Sequence, residues 1–160
     1  MLVTENLIKD YVMGQEVVHA LRGVNFEAHE GDFTVINGPS GSGKSTFLNM
    51  ISCIDRPTSG EVYVDGEPTS RLSAGQLSEM RRDKIGLVFQ TFNLIPVLTA
   101  YENVEYPLLL QHVGPKERKK RVMDLLDEVG IKDLAHRLPN EISGGQRQRI
   151  MIAMSLANSP

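Results

Sequence analysis

The first half of the chain carries short apolar stretches bounded by polar and turn residues, which predict β-strands. Residues 2–8 and residues 17–26, the latter with partial alternation of apolar and polar positions, predict two paired strands. Apolar runs at residues 33–36, 61–64 and 85–89 predict three more strands. Asp65-Gly66 follows the run at 61–64 and predicts a tight turn there.

The second half of the chain is dominated by predicted helices. In a capping box, a Ser or Thr and a Glu or Gln three residues later each accept a hydrogen bond from the other's backbone N–H, and this pair marks the start of a helix. The sequence offers three such pairs: Ser73 with Gln76, Thr99 with Glu102, and Ser143 with Gln146. Pro107 is expected to kink or end the helix that Thr99 opens. Pro115 and Gly130 mark the start and stop of an amphipathic helix.

A glycine-rich segment connects the predicted strand at 33–36 to a stretch of apolar residues with helical spacing. Its sequence satisfies the phosphate-binding pattern G-x-x-x-x-G-K-[ST], and the residues predicted to contact a nucleotide are Gly38, Pro39, Ser40, Gly41, Ser42, Gly43, Lys44, Ser45 and Thr46. Glycines let the backbone N–H groups turn towards phosphate oxygens, and the helix N-terminus favours an anion. We expect Lys44 to contact the β- and γ-phosphates, Ser45 to bind Mg²⁺, and Thr46 to contact the α-phosphate.

A second motif begins the last predicted helix. Ser143 and Gln146 alone are explained by a capping box. Gly144 and Gly145 are costly in a helix, however, and expose backbone N–H donors, so the same segment is also suited to an anion.

Composition and charge exclude several classes of protein. The net charge of −3 and the pI near 5.8 argue against a general nucleic-acid surface. The basic run at residues 116–121 is explained by the solvated face of the amphipathic helix. Cys53 is the single cysteine, so no internal disulfide forms. No apolar run approaches the length needed to cross a bilayer.

The motifs GPSGSGKST and ISGGQRQR together resemble those of the ATP-binding subunit of an ABC transporter. The resemblance covers the whole chain. It implies an α/β fold of the P-loop NTPase class: a RecA-like core, an N-terminal antiparallel β subdomain and a helical signature subdomain. It divides the chain at about residues 1–90, 91–145 and 146–160.

The resemblance also implies further site residues, cofactors and partners. Tyr11 would stack on the adenine of ATP, and Gln90 would contact Mg²⁺ and the attacking water, which makes Lys44 and Gln90 the catalytic candidates. The signature residues Ser143, Gly144, Gly145 and Gln146 would cap the γ-phosphate of ATP bound to a second subunit in a head-to-tail homodimer. Transmembrane permease subunits, and a cytoplasmic location at the inner face of the cell membrane, are implied as well.

Residues 93–104 are similar to the branch of the family that contains lipoprotein-release, macrolide-export and cell-division ATPases. The sequence departs from the common family pattern at Ile142, Met154 and Ser155. The family commonly has Arg and Ala where this sequence has Met154 and Ser155, so the helix contact that this Arg makes is not expected here.

The family places two acids needed for hydrolysis on an apolar strand, the Walker B strand, shortly after the signature helix. The sequence to Pro160 contains no such strand, so we expect these 160 residues to bind nucleotide, to lack hydrolysis and to be marginally stable or prone to aggregate in isolation. A non-catalytic nucleotide-binding or regulatory fragment is the alternative function. An ABC-type ATPase of DNA repair or chromosome organisation ranks lower, because such proteins insert a long coiled coil between the Q-loop and the signature, whereas only 53 positions separate Gln90 from Ser143 here. A kinase or GTPase ranks lower still, because it leaves ISGGQ unexplained.

Overall fold

The computed structural model describes residues 1–159. The chain divides into two compact units, Met1–Glu79 and the part from Met80 onward. Elements of the first unit are β1 (Leu2–Met13), β2 (Glu16–Ala28), α1 (Lys44–Ile51), β3 (Ser59–Val64), β4 (Glu67–Pro68) and the start of α2 (Ala74–Lys84). The second unit contains α3 (Ala100–Leu110), α4 (Pro115–Glu128) and α5 (Gly144–Ala157).

A four-stranded antiparallel sheet in the order β2-β1-β3-β4 forms the first unit. Helix α1 packs against β1 and β2, and the rings of Phe26 and Phe47 meet edge to face at 5.5 Å. Leu7, Met50 and Val62 are almost fully buried at the centre of this unit. The apolar face of the sheet therefore holds α1, the helix that follows the glycine-rich segment.

The pairing of β1 with β2 is interrupted at a position that matters for the site. Lys9 pairs with Leu21 and Asp10 pairs with His19, which leaves Ala20 as an extra residue on β2. Such a bulge bends a strand locally and leaves one residue out of the ladder. The glycine-rich segment approaches the sheet at this bulge.

Helices α3, α4 and α5 of the second unit pack against one another around a single apolar core. Its centre is formed by the almost fully buried side chains of Val104, Leu108, Val122, Leu126 and Ile150. Amphipathic helices are stabilised mainly by burying such a face. No helix within residues 1–159 is long and apolar enough to cross a membrane.

Most predicted elements are confirmed. β1 and β2 pair as expected, β3 ends in the predicted turn, and both Asp65 and Gly66 have positive φ angles. All three capping boxes form, at the starts of α2, α3 and α5. Helix α4 begins at Pro115, and Gly130, with φ of +67°, lies just beyond its end.

Two predicted strands, at residues 33–36 and 85–89, are wrong for this structure. Neither segment belongs to a sheet among the described residues, and Phe33 is 93% exposed. An apolar run supplies the side-chain pattern of a strand, but a strand also requires a hydrogen-bonded neighbour. Both segments expose apolar side chains, which favour aggregation. Aggregation of the isolated 160 residues stays a prediction.

Pro107 was expected to kink or end its helix; the helix does not end there, and a kink at Pro107 stays a prediction. Helix α3 continues for three residues beyond Pro107 to Leu110. The carbonyl of Pro107 accepts a hydrogen bond from the backbone N–H of Gln111 at 3.2 Å. The proline therefore removes a single donor and does not end the helix.

Candidate functional site

The glycine-rich loop at residues 38–43 leads directly into α1, whose first three residues, 44–46, complete the phosphate-binding motif. Gly43 is the N-cap with φ of +90°, and its carbonyl accepts the first helical hydrogen bond, from Phe47 at 2.8 Å. A Cβ at Gly43 would lie 2.5 Å from the carbonyl oxygen of Ala20 and 3.2 Å from Cδ2 of Leu21. The loop therefore approaches the bulge of β2 so closely that a glycine is required at its last turn.

The loop is curled around the ammonium group of Lys44. Lys44 Nζ donates hydrogen bonds to the carbonyl oxygens of Gly38 at 2.8 Å and Pro39 at 2.7 Å, and to Oγ of Ser42 at 3.4 Å. A Cβ at Gly38 would lie 2.8 Å from Ser42 Oγ, so the loop closes on itself there as well. The arrangement holds a positive charge at the mouth of the loop.

The electrostatics of the loop fit a phosphate group. The first turn of α1 contains no acidic residue, so nothing in that turn offsets the partial positive charge of the helix N-terminus. Gly38, Ser40, Gly41 and Ser42 are exposed. The Gly38 N–H donates to Asn37 Oδ1 and the Ser42 N–H donates to the carbonyl of Pro39, so the N–H groups of Ser40 and Gly41 are the ones that can reach an anion without breaking these bonds. These observations support a polyphosphate as the ligand.

Magnesium fits the same place through a different donor set. The exposed hydroxyl of Ser45, in the first turn of α1, is an oxygen ligand of the kind that Mg²⁺ accepts together with phosphate oxygens and water. Within residues 1–159, no cluster of three His, Cys, Asp or Glu side chains is available for a metal. A magnesium ion here would take the Ser45 hydroxyl together with phosphate oxygens of a bound nucleotide and water.

Tyr11 lies on β1, on the face of the sheet that carries α1. Leu21, which borders Gly43, pairs with Lys9, and alternation along the strand places Tyr11 on the same side as Lys9. The Tyr11 hydroxyl donates a hydrogen bond to Oδ2 of Asp55 at 3.2 Å, and Lys9 Nζ lies 4.9 Å from the ring centroid. The structure thus brings the predicted base-stacking residue and the loop to one face of the sheet.

The Asp55 carboxyl contacts both Tyr11 and Lys9, and its pKa is shifted by its surroundings. Burial acts to raise its pKa, but the hydrogen bonds from Lys9, from the backbone N–H of Arg56 and from Tyr11, together with the Lys9 charge, lower the pKa below its usual value. Lys9 Nζ lies 2.8 Å from Asp55 Oδ2. Asp55 is therefore held as a carboxylate between the lysine and the tyrosine.

Gln90 and the signature segment both belong to the second unit. Gln90 is exposed at a bend that follows residues 85–89. Ser143 Oγ accepts a hydrogen bond from the Gln146 backbone N–H at 3.3 Å, and the Ser143 N–H donates to Gln146 Oε1 at 2.8 Å. The capping interpretation is thus confirmed, and anion binding by this segment stays a prediction.

One contact within the second unit was not predicted from the sequence. The Arg147 guanidinium lies 4.6 Å from the ring centroid of Phe92, and a Cβ at Gly144 would lie 3.5 Å from the edge of that ring. Phe92 therefore connects the segment after Gln90 to the first turn of the signature helix. An aromatic residue two positions after Gln90 was the available sequence signal.

Lys9 and Asp55 were also missed from the sequence. Lys9 and Tyr11 lie just beyond the strand predicted at residues 2–8, whereas the structure extends β1 to Met13 and so places both on one side of it. Asp55 lies 44 positions away from Tyr11, and no local pattern indicates that contact. Within each unit, the structure therefore adds supporting residues to those the motifs identify.

Known proteins resemble this chain at the level of family, of sequence and of structure. The ABC transporter family profile matches residues 21–160. An ABC transporter ATP-binding protein of Thermotoga maritima is 53% identical over 152 residues, which is 95% of this chain and 65% of the relative. The macrolide export ATP-binding/permease protein MacB of Bartonella henselae is 42% identical over 158 residues, 99% of this chain but only 24% of MacB.

Solved structures of MJ0796, an ABC transporter ATP-binding protein of Methanocaldococcus jannaschii, superpose closely on this chain. The dimeric structure of this ABC transporter cassette has a TM-score of 0.94 at 51% identity and covers 100% of this chain and 71% of MJ0796. A second structure, described as a dimeric post-hydrolysis state bound to ADP and Pi, has the same TM-score at 50% identity. The α/β fold class expected from the sequence is confirmed by this likeness.

Proposed function

Because this chain belongs to the ABC transporter family, as an ATP-binding protein, we propose that it binds MgATP and couples binding and hydrolysis to transport or substrate extraction by transmembrane permease subunits. One observation carries the proposal. The loop at residues 38–43 curls around the side chain of Lys44, the first residue of α1, and the first turn of that helix contains no acid. A polyphosphate is the ligand for which this charge arrangement is best suited.

The roles of the loop residues follow from their chemistry. Lys44 exchanges its contacts with the carbonyls of Gly38 and Pro39 for the β- and γ-phosphate oxygens, and stabilises the charge that develops there. Ser45 holds Mg²⁺, which neutralises phosphate charge when bound, and Thr46 contacts the α-phosphate. Tyr11 stacks on the adenine base.

The remaining site residues act in the second unit. In hydrolysis, water attacks the γ-phosphorus, the bond to the bridging oxygen breaks, and ADP and phosphate leave. Gln90 orients that water, and Ser143, Gly144, Gly145 and Gln146 cap the γ-phosphate of ATP on a second subunit in a head-to-tail homodimer. The dimeric structures of MJ0796 support a dimer, and the ATP-binding/permease name of MacB supports a membrane partner.

The location and activity of the chain are proposals of the same kind. We place it in the cytoplasm at the inner face of the membrane, where its permease partner presents a docking surface. The acids that complete hydrolysis belong to the strand that the family places after the signature helix. A polypeptide of these 160 residues alone is therefore predicted to bind MgATP without turning it over.

Isothermal titration with MgATP tests the proposal. Lys44→Ala removes a charged donor to phosphate, which is worth about 1.5–3 kcal/mol, so ATP affinity is expected to fall by roughly 10- to 150-fold. Lys119→Ala, which removes an exposed lysine of α4, is the matched control and should bind ATP like the unchanged protein. Equal ATP affinity in the Lys44→Ala variant and the control would refute phosphate binding by this loop.

A further inference from the structure

Tyr11 is held by two charged side chains that no motif assigns to a site. Its hydroxyl donates to Asp55 Oδ2 at 3.2 Å, and Lys9 Nζ lies 4.9 Å from its ring centroid. Lys9 Nζ also contacts Asp55 Oδ2 at 2.8 Å and the carbonyl oxygen of Arg56 at 2.7 Å. The three side chains therefore form a closed cluster in which each one contacts the other two.

The cluster is rigid on the side of α1. The Asp55 backbone N–H donates to the carbonyl of Asn49, in the last turn of α1, and the Asp55 carboxylate accepts from the N–H of Arg56 at 2.7 Å. The side chain of Lys9 is only 12% exposed, so its ammonium is held by its contacts. The ring of Tyr11 is thus fixed at its hydroxyl end and against one face.

The surroundings of Tyr11 away from Lys9 are open and apolar. Met13 lies two positions further along β1 on the same side of the sheet, and Val18 on β2 pairs with Tyr11. Met13 is 68% exposed and Val18 is 45% exposed. A flat aromatic base that stacks on the ring would cover these side chains from water.

The position of the cluster suits a ligand that also reaches the phosphate loop. Gly43 borders Leu21, and Leu21 pairs with Lys9, so the loop and the cluster share one face of the sheet. Helix α1 begins at the loop, and Asp55 contacts the end of that helix. The phosphate loop thus lies at the start of α1 and the Tyr11 cluster near its end, which matches a nucleotide, whose phosphates and base are at opposite ends.

We propose that Lys9 and Asp55 are positioning residues that hold the Tyr11 ring for stacking on the nucleotide base. Lys9 supports one face of the ring by a cation–π contact and leaves the other face for the base. Asp55 fixes the hydroxyl and, through its ion pair, the lysine. The proposal rests on nucleotide binding as proposed above and adds two residues that determine how well the base is recognised.

The competing explanation is an ion pair that only ties β1 to the segment after α1. Loss of such a pair would lower the stability of the first unit and, through it, the affinity for every ligand of that unit by the same factor. If the two residues position the base, their loss instead lowers the affinity for a ligand that has a base and leaves the affinity for a ligand without a base unchanged. Magnesium ATP and magnesium tripolyphosphate separate the two explanations, because the latter keeps the three phosphates and lacks the base.

The experiment measures dissociation constants for both ligands in Tyr11→Ala, Lys9→Met and Asp55→Asn, with a thermal melt of each variant. Loss of base–aromatic stacking in Tyr11→Ala is expected to weaken ATP binding at least about fivefold. Lys9→Met and Asp55→Asn are expected to weaken ATP binding about threefold or more, with tripolyphosphate binding unchanged in all three variants. Lys9→Arg keeps the cation and is expected to bind ATP like the unchanged protein.

Asp127→Asn is the matched control, because Asp127 forms an exposed ion pair with Lys132 at 3.1 Å that involves no aromatic ring. It should leave both dissociation constants unchanged. Equal weakening of ATP and tripolyphosphate in Lys9→Met and Asp55→Asn, or no weakening of ATP, would overturn the positioning role. Failure of the unchanged protein to bind either ligand would instead refute the proposed function and this inference with it.

Discussion

Two glycines of the phosphate loop give a prediction in which one of them serves as the control for the other. Gly41 has φ of +80° and Gly43 has φ of +90°, so alanine at either position adopts a backbone conformation that L-residues disfavour. That conformational cost is about 1–2 kcal/mol, or roughly 5- to 30-fold in an equilibrium. The conformational cost is common to the two variants because both glycines have positive φ. Both variants also keep the backbone N–H, so neither loses a donor to phosphate.

The two positions differ in what a new methyl group would meet. Nothing lies within 4 Å of a Cβ at Gly41, whereas a Cβ at Gly43 would lie 2.5 Å from the carbonyl oxygen of Ala20. Since Cβ contacts shorter than 3.0 Å essentially never occur, the loop and β2 must separate by at least about 0.5 Å in Gly43→Ala. The carbonyl belongs to the backbone of β2, which pairs with β1 on either side of the Ala20 bulge, and it cannot rotate away as a side chain would.

We therefore expect Gly41→Ala to lower MgATP affinity by no more than about 30-fold, because only the conformational cost applies. Gly43→Ala should lower it by roughly a further 5- to 150-fold, because forcing the backbone apart costs about 1–3 kcal/mol. Urea denaturation should also show a larger loss of stability for Gly43→Ala than for Gly41→Ala. Titration calorimetry on both variants provides the measurement. Equal affinities of the two variants for MgATP would refute the argument from the Ala20 contact.

Two further predictions concern polar groups that the motifs do not include. Asn103 is fully buried, with Oδ1 accepting from the Ile95 N–H at 2.8 Å and Nδ2 donating to three carbonyls, so Asn103→Ala is expected to cost about 2–4 kcal/mol in urea denaturation. The exposed Asn93→Ala should change stability by less than about 0.5 kcal/mol, and a similar loss in both would contradict this reasoning. Burial acts to raise the pKa of Glu61, but hydrogen bonds from Ser70, Val62 and Thr69 lower it below its usual value. The resulting stabilisation is present above the usual carboxyl pKa of about 4.3 and is lost as the pH falls through the lower folded-state pKa, so melts of the unchanged protein and Glu61→Gln should converge towards acid pH. A melting difference that stays constant down to pH 3 would count against it.

The helices could be predicted from the sequence because their signals are local. A capping box joins residues three positions apart, and Thr99 with Glu102 shows both of its hydrogen bonds in the structure. Gly130 ends α4 through its own backbone conformation, with φ of +67°. Where a structural feature depends on residues within one helical turn, the sequence contains the information needed to place it.

Strands at residues 33–36 and 85–89 could not be predicted in the same way, because a strand depends on a neighbour that the local sequence does not specify. Phe33, Val35 and Val88 have the residue types of a strand, but no ladder includes them among the described residues. The pairing of β1 with β2 was predictable because the two strands are adjacent in the chain. The bulge at Ala20 was not, because alternation is only partial there.

The candidate site shows the same division between local and distant information. The motif identifies Gly43 as a loop glycine, but the contact that makes glycine necessary comes from Ala20, more than twenty positions earlier on another element. Tyr11 is indicated by resemblance, whereas Asp55, which fixes its hydroxyl, is 44 positions away. Motifs thus identify the residues that face a ligand, while the residues that hold them are found only through the fold. Substitutions at Lys9 and Asp55 test whether that second group also determines which ligand is bound.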